Sequence, residues 1–464
     1  MPSATLRSSD RRMTRASIAV RSLSSAYGMV GALLLLCIYF SWATIREETP
    51  VGLDGARILA SEITTGGVAP TRLVIVSQSD IAESEFASAL DQALKERGVN
   101  PIGMVKGDPP SVRAEIERII HSGGSIDLIA TTQTCRNWTV WDGLRSREPS
   151  FARTEIRAPH AIRRSTFLAA SNLRNVADQI AVIAIIAIGM TMVIITGGID
   201  LSVGSLVALS AVITAWLIQK AGGVAASAGA MVGSALCAIL ICGAVGLFSG
   251  LTITRFRVPP FIATLAMMQV ASGLAFMAAR GQTIYDIPPE FTRLGRGADL
   301  ASIPNAVLLM AAAYAIAHLL MTRSVTGRRI YAVGGNFEAA RLSGVRTSRT
   351  LLTVYIVSGL MAGIGGVITA SQLKAGAPTY GTMYELYVIA AVVVGGTSLS
   401  GGEGRILGTL IGAFIIAVIR NGMNLINVEP YTQKVVLGLV ILAAVMLDMF
   451  RRHRARGMEL KGSQ

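Results

Sequence analysis

The chain is short of charge. Lysine, arginine, aspartate and glutamate make up 15% of its 464 residues, against about 25% in ordinary soluble domains. Cysteine is scarce too. There are four: Cys37, Cys237 and Cys242 lie inside apolar runs and Cys135 stands alone, so neither a disulfide framework nor a paired-cysteine metal site is available. The four histidines, His121, His160, His318 and His453, are far apart in sequence, and isolated surface or helix-end side chains account for them better than a metal centre. No lysine follows a glycine, which excludes the Gly-Lys-Ser/Thr loop that cradles phosphate in a nucleotide hydrolase. No Gly-x-Gly-x-x-Gly follows the first predicted strand, so the dinucleotide-binding signature is missing. The net charge of +14 is spread between hydrophobic runs instead of being gathered in one basic domain, which argues against nucleic acid as a partner.

What the chain does have is long apolar runs. Hydrophobic residues make up 52% of it, and the mean hydropathy is +0.55. Runs at 26–45, 176–196, 201–218, 225–253, 260–279, 303–322, 350–370, 385–400, 405–425 and 433–449 are close to the about 20 residues that cross a bilayer as a helix. The stretch ITGGIDLSVGSL, 195–206, separates two of them. Gly197 and Gly198 each cost a helix about 1 kcal/mol relative to alanine, so a helix is expected to stop there. Asp200 is expected to cap the next one.

Residues 1–25 are polar and arginine-bearing, and a retained helix at 26–45 follows. A cleavable signal, suggested by Ser41-Trp42-Ala43, normally has a shorter apolar region of about 7–15 residues. Residues 46–165 carry no membrane-length run. There RLVIVSQ (72–78), VNPIGMV (99–105) and SIDLIATTQ (125–133) read as strands, alternating with helices at 84–98 and 111–124. That alternation predicts a small parallel sheet with helices on its faces. It resembles, in order and pattern, the first lobe of a sugar-type periplasmic binding protein; a small α/β cap without a ligand reads equally well.

Counting from a cytoplasmic N-terminus, the inner loops hold Arg255 and Arg257, then Arg323, Arg328, Arg329, Arg341, Arg346 and Arg349, and the tail holds Arg451, Arg452, Arg454 and Arg456. The short outer loops hold Lys220, Lys374, Arg293 and Arg296. The positive-inside rule agrees with ten helices and puts 46–165 outside. The expected architecture is therefore an all-α polytopic membrane protein of ten transmembrane helices with a small extracytoplasmic α/β insert. Its parts are a cytoplasmic tail (1–25), a first helix (26–45), the insert (46–165), a core with nine helices (166–450) and a second cytoplasmic tail (451–464).

GGIDLSVG (197–204) and GGTSLSGG (395–402) share the spacing GG-x-x-L-S-x-G, the kind of weak internal symmetry many transporters keep. The candidate helix breaks, or pathway residues, are Gly197, Gly198, Asp200, Ser202, Gly204, Gly395, Gly396, Thr397, Ser398, Gly401 and Gly402. Glu385 opens an outer-side run and is a candidate contact for a soluble partner. Gly404, Gly408 and Gly412 recur every four residues, a spacing that lets membrane helices approach closely.

Within the inner loop 323–349, Asn336 can cap a short helix from Phe337, Glu338 suits its positive end, and Gly344 is placed to end it. Glu338-Ala339-Ala340 with Gly344 resembles the EAA loop by which permease subunits of ATP-binding cassette importers dock on their ATPase. Together with VGGNFEAARLSGV (333–345), TGGIDLSVGSL (196–206), PFIATLAMM (260–268) and IAAVVVGGTSLSGGEGRILGTLIGA (389–413), it resembles the ribose/xylose/galactose class of these permeases over 166–450 and the first helix. Phe337 departs from the polar residue expected there, and the 120-residue segment 46–165 departs from a short outer loop.

The resemblance implies an ATPase-coupling loop at Asn336, Glu338, Ala339, Ala340, Arg341 and Gly344. It implies an ATPase subunit, a second permease subunit (a homodimer), an extracytoplasmic substrate-binding protein and the bilayer as partners. This chain would bind no cofactor, with ATP and magnesium in the partner subunit, and would sit in the inner membrane with both termini cytoplasmic. The alternatives are a permease for nucleosides or branched-chain amino acids, and a membrane-anchored sensor whose α/β segment binds a ligand.

Overall fold

The computed structural model describes residues 28–65, 72–300 and 303–461. The expected tail 1–25 and residues 462–464 lie outside them. The chain divides into two compact units, Ile45–Ser165 and the residues on either side of it.

Helix α1 (Gly28–Ala43) precedes the smaller unit. That unit runs β1 (Ile45–Glu48), α2 (Gly52–Thr65), β2 (Leu73–Ser77), α3 (Ile81–Lys95), β3 (Gly103–Lys106), α4 (Pro109–His121), β4 (Leu128–Thr131), α5 (Gln133–Arg136), α6 (Val140–Arg147), β5 (Glu155–Arg157) and β6 (Ile162–Ser165). The sheet order is β3-β2-β4-β5, parallel throughout. Alternation along β2 sends Leu73 and Ile75 to one face, where they pack with Leu59, Phe86 and Leu90 from α2 and α3. Val74 and Val76 go to the other, against Val112 and Ile116 of α4 and Trp141 of α6. Asp80 and Asp108 start α3 and α4 by accepting from the N–H groups of Glu83 at 2.8 Å and Ser111 at 3.3 Å, as N-cap carboxylates do. At the carboxyl ends of β2 and β4, Glu83 accepts from Gln78 N–H, the Thr132 hydroxyl and the Cys135 thiol. Burial pushes that thiol up to about 11.

The three expected strands and two expected helices are present. The helices α2, α5 and α6, the strand β5, and an antiparallel ribbon of β1 with β6 were not legible. The ribbon strands, IREE and a segment holding Arg163 and Arg164, carry no apolar alternation. They pair because the two ends of the segment meet, Ile45 opposite Ser165.

The larger unit continues with α7 (Ala170–Ile195), α8 (Val203–Lys220), α9 (Ala228–Arg255), α10 (Pro260–Ala278), α11 (Thr292–Arg296), α12 (Asn305–Arg323), α13 (Val325–Gly335), α14 (Phe337–Leu342), α15 (Thr347–Leu373), α16 (Tyr384–Val394), α17 (Ile406–Leu425) and α18 (Pro430–Lys461). Among the described residues seven helices, α7, α8, α9, α10, α12, α15 and α17, are long and apolar enough to cross a membrane. Three shorter apolar helices accompany them: α1, α16 and the Pro430–Met446 part of α18. Each expected apolar run falls on one of these. Helix α18 runs past the expected boundary at 450, so the tail expected at 451–464 is helical as far as Lys461.

Helix α7 is the axis of this unit. It is apolar all round and buried without a break from Ile180 to Ile195, which marks a helix surrounded by others. Helix α15 packs on α7, α8 and α9. Its crossing with α9 is a glycine contact: neither Gly246 on the Tyr355 carbonyl nor Gly359 on the Cys242 carbonyl has room for a Cβ. Buried polar pairs join the helices. Asn172 and Asn421 exchange amide bonds of 3.0 and 2.8 Å between α7 and α17, Thr191 meets Thr409 at 2.8 Å, and the Tyr314 hydroxyl donates to Ala184 O at 3.0 Å. The outer helices turn large apolar side chains outward, among them Leu240, Met277, Ile316 and Leu439, a surface suited to lipid or another apolar face.

Because Ile45 and Ser165 are directly opposed, about 5 Å apart in such a ladder, and Thr166 N–H donates to Thr44 O at 3.2 Å, residues 45–165 form a clean insertion. Excising them and joining Thr44 to Thr166 through a two-glycine linker is expected to leave a membrane-inserted, monodisperse protein. Size-exclusion chromatography of the detergent-solubilised variant checks this; aggregation or loss from the membrane fraction would refute it.

Candidate functional site

The chemistry-bearing residues gather at breaks between helices. The first is the end of α7. Gly197, at φ +80°, takes the left-handed geometry that ends a helix and favours glycine. Thr196, Gly198 and Gly197 N–H groups then donate to Met192, Val193 and Ile194 O. The carbonyl of Ile195 accepts from Gly402 N–H at 2.8 Å, more than 200 residues away in sequence. Gly334, at the end of α13, presses on the same carbonyl and has no room for a Cβ. Tyr331 of α13 donates to Gly404 O at 2.8 Å. Three stretches read separately in the sequence, 195–204, 334–335 and 395–405, therefore meet at one end of α7.

The two GG-x-x-L-S-x-G loops have related turns. Ser202 N–H donates to the Asp200 carboxylate at 3.0 Å, and Ser400 N–H to the Ser398 hydroxyl at 3.1 Å, in the register of the echo. The helix ends are offset by one residue, since the left-handed glycines are Gly197 and Gly396. Gly395 is squeezed between Gly408 and Thr409, and Gly412 against the Ala391 carbonyl, so the spaced glycines of α17 serve its crossing with α16. Thr397 is buried with its hydroxyl unpartnered.

Asp200 does not cap α8 as expected. The helix starts later, with Ser202 at the N-cap position and no side-chain cap bond. Asp200, 1% exposed, accepts instead from the Ser202 hydroxyl at 2.6 Å and from the Ser358 hydroxyl of α15 at 2.7 Å. The late start frees the carboxylate to reach a neighbouring helix, so it ties the loop to α15.

The second break is before α16. Expected to cross from 385 to 400, α16 has 11 residues, about 16 Å of helix, half of the about 30 Å hydrocarbon core. Residues 374–383 precede it as irregular backbone laid along α8. Ala375 to Pro378 are buried, Gly376 packs on Ala211 and Ala215, and Gly381 packs on Gly204 and Val207. From Ala215 to Gly204 that path follows α8 for about 16 Å. Irregular backbone among membrane-spanning helices persists only where protein buries it or where it lines a cavity. Here it does both. A cavity of about 210 Å³ lies beside it, walled by Gly204, Ser205, Gln269, Ser272, Tyr380, Thr382 and Glu385, with Met268, Met383 and Pro378. Glu385, half-buried in the first turn of α16, lies against Gly204, where its carboxylate leaves no space for a Cβ. Of these walls only Gly204 and Glu385 stood out in the sequence. Gln269 is hidden in an apolar run, and the Gly, Pro and Gly of KAGAPTYG (374–381) were the available signal for the break.

The third element is the loop 323–349. Its first half is a helix the sequence reading passed over, α13, capped by Ser324 through Gly327 N–H at 3.1 Å. The second half, α14, lies where the spacing predicts it. Asn336 accepts from Ala339 N–H at 2.9 Å, Gly344 takes φ +82°, and Glu338 pairs with Arg341 at 2.7 Å on the exposed face. Ala340 is buried, whereas Phe337 and Leu342 are exposed, Leu342 by 82%.

The family model described as branched-chain amino acid transport system / permease component matches residues 172–445. The ribose import permease protein of Bacillus subtilis (strain 168) is 44% identical over 288 residues, covering 61% of this chain and 86% of that protein. The L-arabinose ABC transporter permease protein of Azospirillum brasilense is 36% identical over 294 residues, 63% of this chain and 84% of its own length. The D-allose transport system permease protein of Escherichia coli (strain K12) is 37% identical over 282 residues, 61% and 84%. No solved structure gives a significant match.

Replacing Ser358 by alanine removes one donor from the buried Asp200 carboxylate, and such a loss costs about 1–3 kcal/mol. The thermal midpoint of the solubilised protein is expected to fall in Ser358→Ala. Combined with Asp200→Ala the two losses should be less than additive, because they break one bond. Additive losses in that double-mutant cycle would count against the coupling.

Proposed function

The chain belongs to the family of branched-chain amino acid transport system permease components, and from that premise we propose that it is the membrane-spanning subunit of an ATP-driven importer that passes a monosaccharide. One observation carries the choice of solute: the relatives named above are permeases for ribose, arabinose and allose and match over 84–86% of their own lengths. In this reading the chain is not itself an enzyme. Hydrolysis of ATP, with its magnesium, takes place in a separate subunit, and the solute arrives on an extracytoplasmic binding protein. A second copy of the permease completes the pathway. The protein lies in the inner membrane as a multi-pass chain of ten helices, of which α16 is a half-helix, with both termini in the cytoplasm. The arginine-rich loops support that orientation.

The coupling loop is α14. Its exposed Phe337 and Leu342 offer an apolar grip beside the Glu338–Arg341 pair, which fits a docking surface for the ATPase subunit. What the grip would move is supported by the packing. Helix α13 precedes α14 with only Asn336 between them, and its Gly334 and Tyr331 bear on the end of α7 and on the loop before α17. Displacement of α14 by ATP-driven closure of the ATPase pair is thus delivered to the helix breaks at Gly197 and Gly401. The α/β insert lies outside in this reading and guides the binding protein to the outer mouth.

Glu338→Arg together with Gly344→Arg removes the Glu338–Arg341 pair, makes the neutral α14 positive, and forces a side chain onto a left-handed residue. Uptake of radiolabelled D-ribose, D-allose and L-arabinose by cells expressing the whole transporter is expected to drop at least tenfold at unchanged membrane level, read by immunoblot. Wild-type uptake would refute the coupling role. The excision of residues 45–165 is expected to raise the half-saturating concentration for the same uptake. Unchanged kinetics would remove the docking role of the insert.

A further inference from the structure

We propose that the cavity between the first turns of α8 and α16 is a transient binding site for one neutral monosaccharide, with Glu385 as the acceptor that orients its hydroxyls. The site rests on the reading of the chain as a sugar permease and says where on the permease the solute pauses. Four observations carry it.

Size comes first. At about 210 Å³ the cavity is below the about 300–1,000 Å³ of pockets for drug-sized ligands. It has room for a five- or six-membered ring.

The second is unspent hydrogen-bonding capacity. Among the described residues the side chains of Ser205, Gln269, Ser272 and Tyr380 face this cavity and bond to no other protein group. These groups are open to the cavity and are not buried away from it, so a solute entering it meets four free partners beside a carboxylate. A sugar ring offers matching hydroxyls on its edges. The thioethers of Met268 and Met383 and the ring of Pro378 give its C–H face an apolar floor.

Charge is the third. No lysine or arginine lines the cavity among the described residues, and Glu385 is its one carboxylate. A branched-chain amino acid would set its ammonium against Glu385, but its own carboxylate finds no lysine or arginine on the wall to meet it. A neutral polyol meets no such obstacle, and a carboxylate accepts two of its hydroxyls in charge-assisted bonds.

The fourth is how Glu385 is held. It lies in the first turn of α16 and against the first turn of α8, two helix N-termini that favour a negative charge. Gly204 has no Cβ, and the carboxylate occupies that space. The acceptor is thereby fixed by the scaffold, while the other contacts are single, replaceable hydrogen bonds. A transport site must admit its solute and also let it leave.

The test uses the full-length permease in lipid nanodiscs, without ATPase or binding protein, and saturation-transfer NMR with D-ribose, D-allose, L-arabinose and L-leucine. A saturable signal is expected from at least one sugar and none from leucine. Glu385→Gln and Gln269→Leu should each cut that signal at least fivefold. As a check independent of loss of binding, Ser272→Cys, in a background with the native cysteines replaced, should be labelled by a methanethiosulfonate at least threefold more slowly in saturating sugar. Cells that take up the sugar through the whole transporter, while the permease shows neither saturable binding nor protection, overturn the cavity and leave the permease reading standing. Variants that bind like wild type do the same. Uptake of none of the three sugars overturns both.

Discussion

The larger unit depends on how one helix end is satisfied. A helix leaves its last carbonyls without partners, and in a medium without water each must find one inside the protein. At the end of α7 four successive carbonyls have partners. Met192, Val193 and Ile194 carbonyls are taken by the turn through Gly197, and that of Ile195 by Gly402. The last bond requires a second glycine loop to come within hydrogen-bond reach, and the approach of α13 requires a residue without a side chain at position 334. Local necessity at one helix terminus thus fixes where three remote pieces of chain must be. One of them is contiguous with the exposed helix α14.

The same constraint explains the second break. Helix α16 is too short to cross by itself, and the chain reaches its start along α8 as irregular backbone. That backbone is tolerable because Gly376 exchanges two bonds of 2.9 Å with Ile284 and because small residues, Gly376 and Gly381, let it lie close against α8. A half-helix produces what a full span would not: a helix N-terminus deep in the unit, carrying Glu385 and facing polar side chains of α8 and α10. In the proposed import cycle the two breaks divide the labour, one passing force at the end of α7 and the other holding solute beside Gly204.

The smaller unit obeys ordinary soluble rules. Its sheet is covered on both faces, α3 and α4 start at aspartate caps, and its ends are tied by the β1–β6 ribbon. Being inserted through adjacent ends, it can be gained without disturbing the packing of α1 or α7. Phe40 of α1 stays buried against Phe167 and the glycine face of α17 at Gly422.

Much of this was legible in the sequence, wherever the signal is local. Apolar runs of membrane length, strands of alternating pattern such as Leu73–Ser77, and the Asn336 and Gly344 boundaries of α14 depend on neighbours within a few residues; the structure has the strands and the α14 boundaries, and seven of the ten runs fall on helices long enough to cross a membrane. Other features depend on partners distant in sequence. Asp200 has the composition of a cap, yet a helix start two residues later let Ser358 claim it. The run 385–400 has the hydropathy of a span, and hydropathy cannot distinguish a crossing from a half-helix followed by a turn. Ser205, Gln269, Ser272 and Tyr380 carry no pattern at all. They line one cavity only because Gly204 and Gly381 let two segments approach to backbone contact, and tertiary packing alone decides that distance.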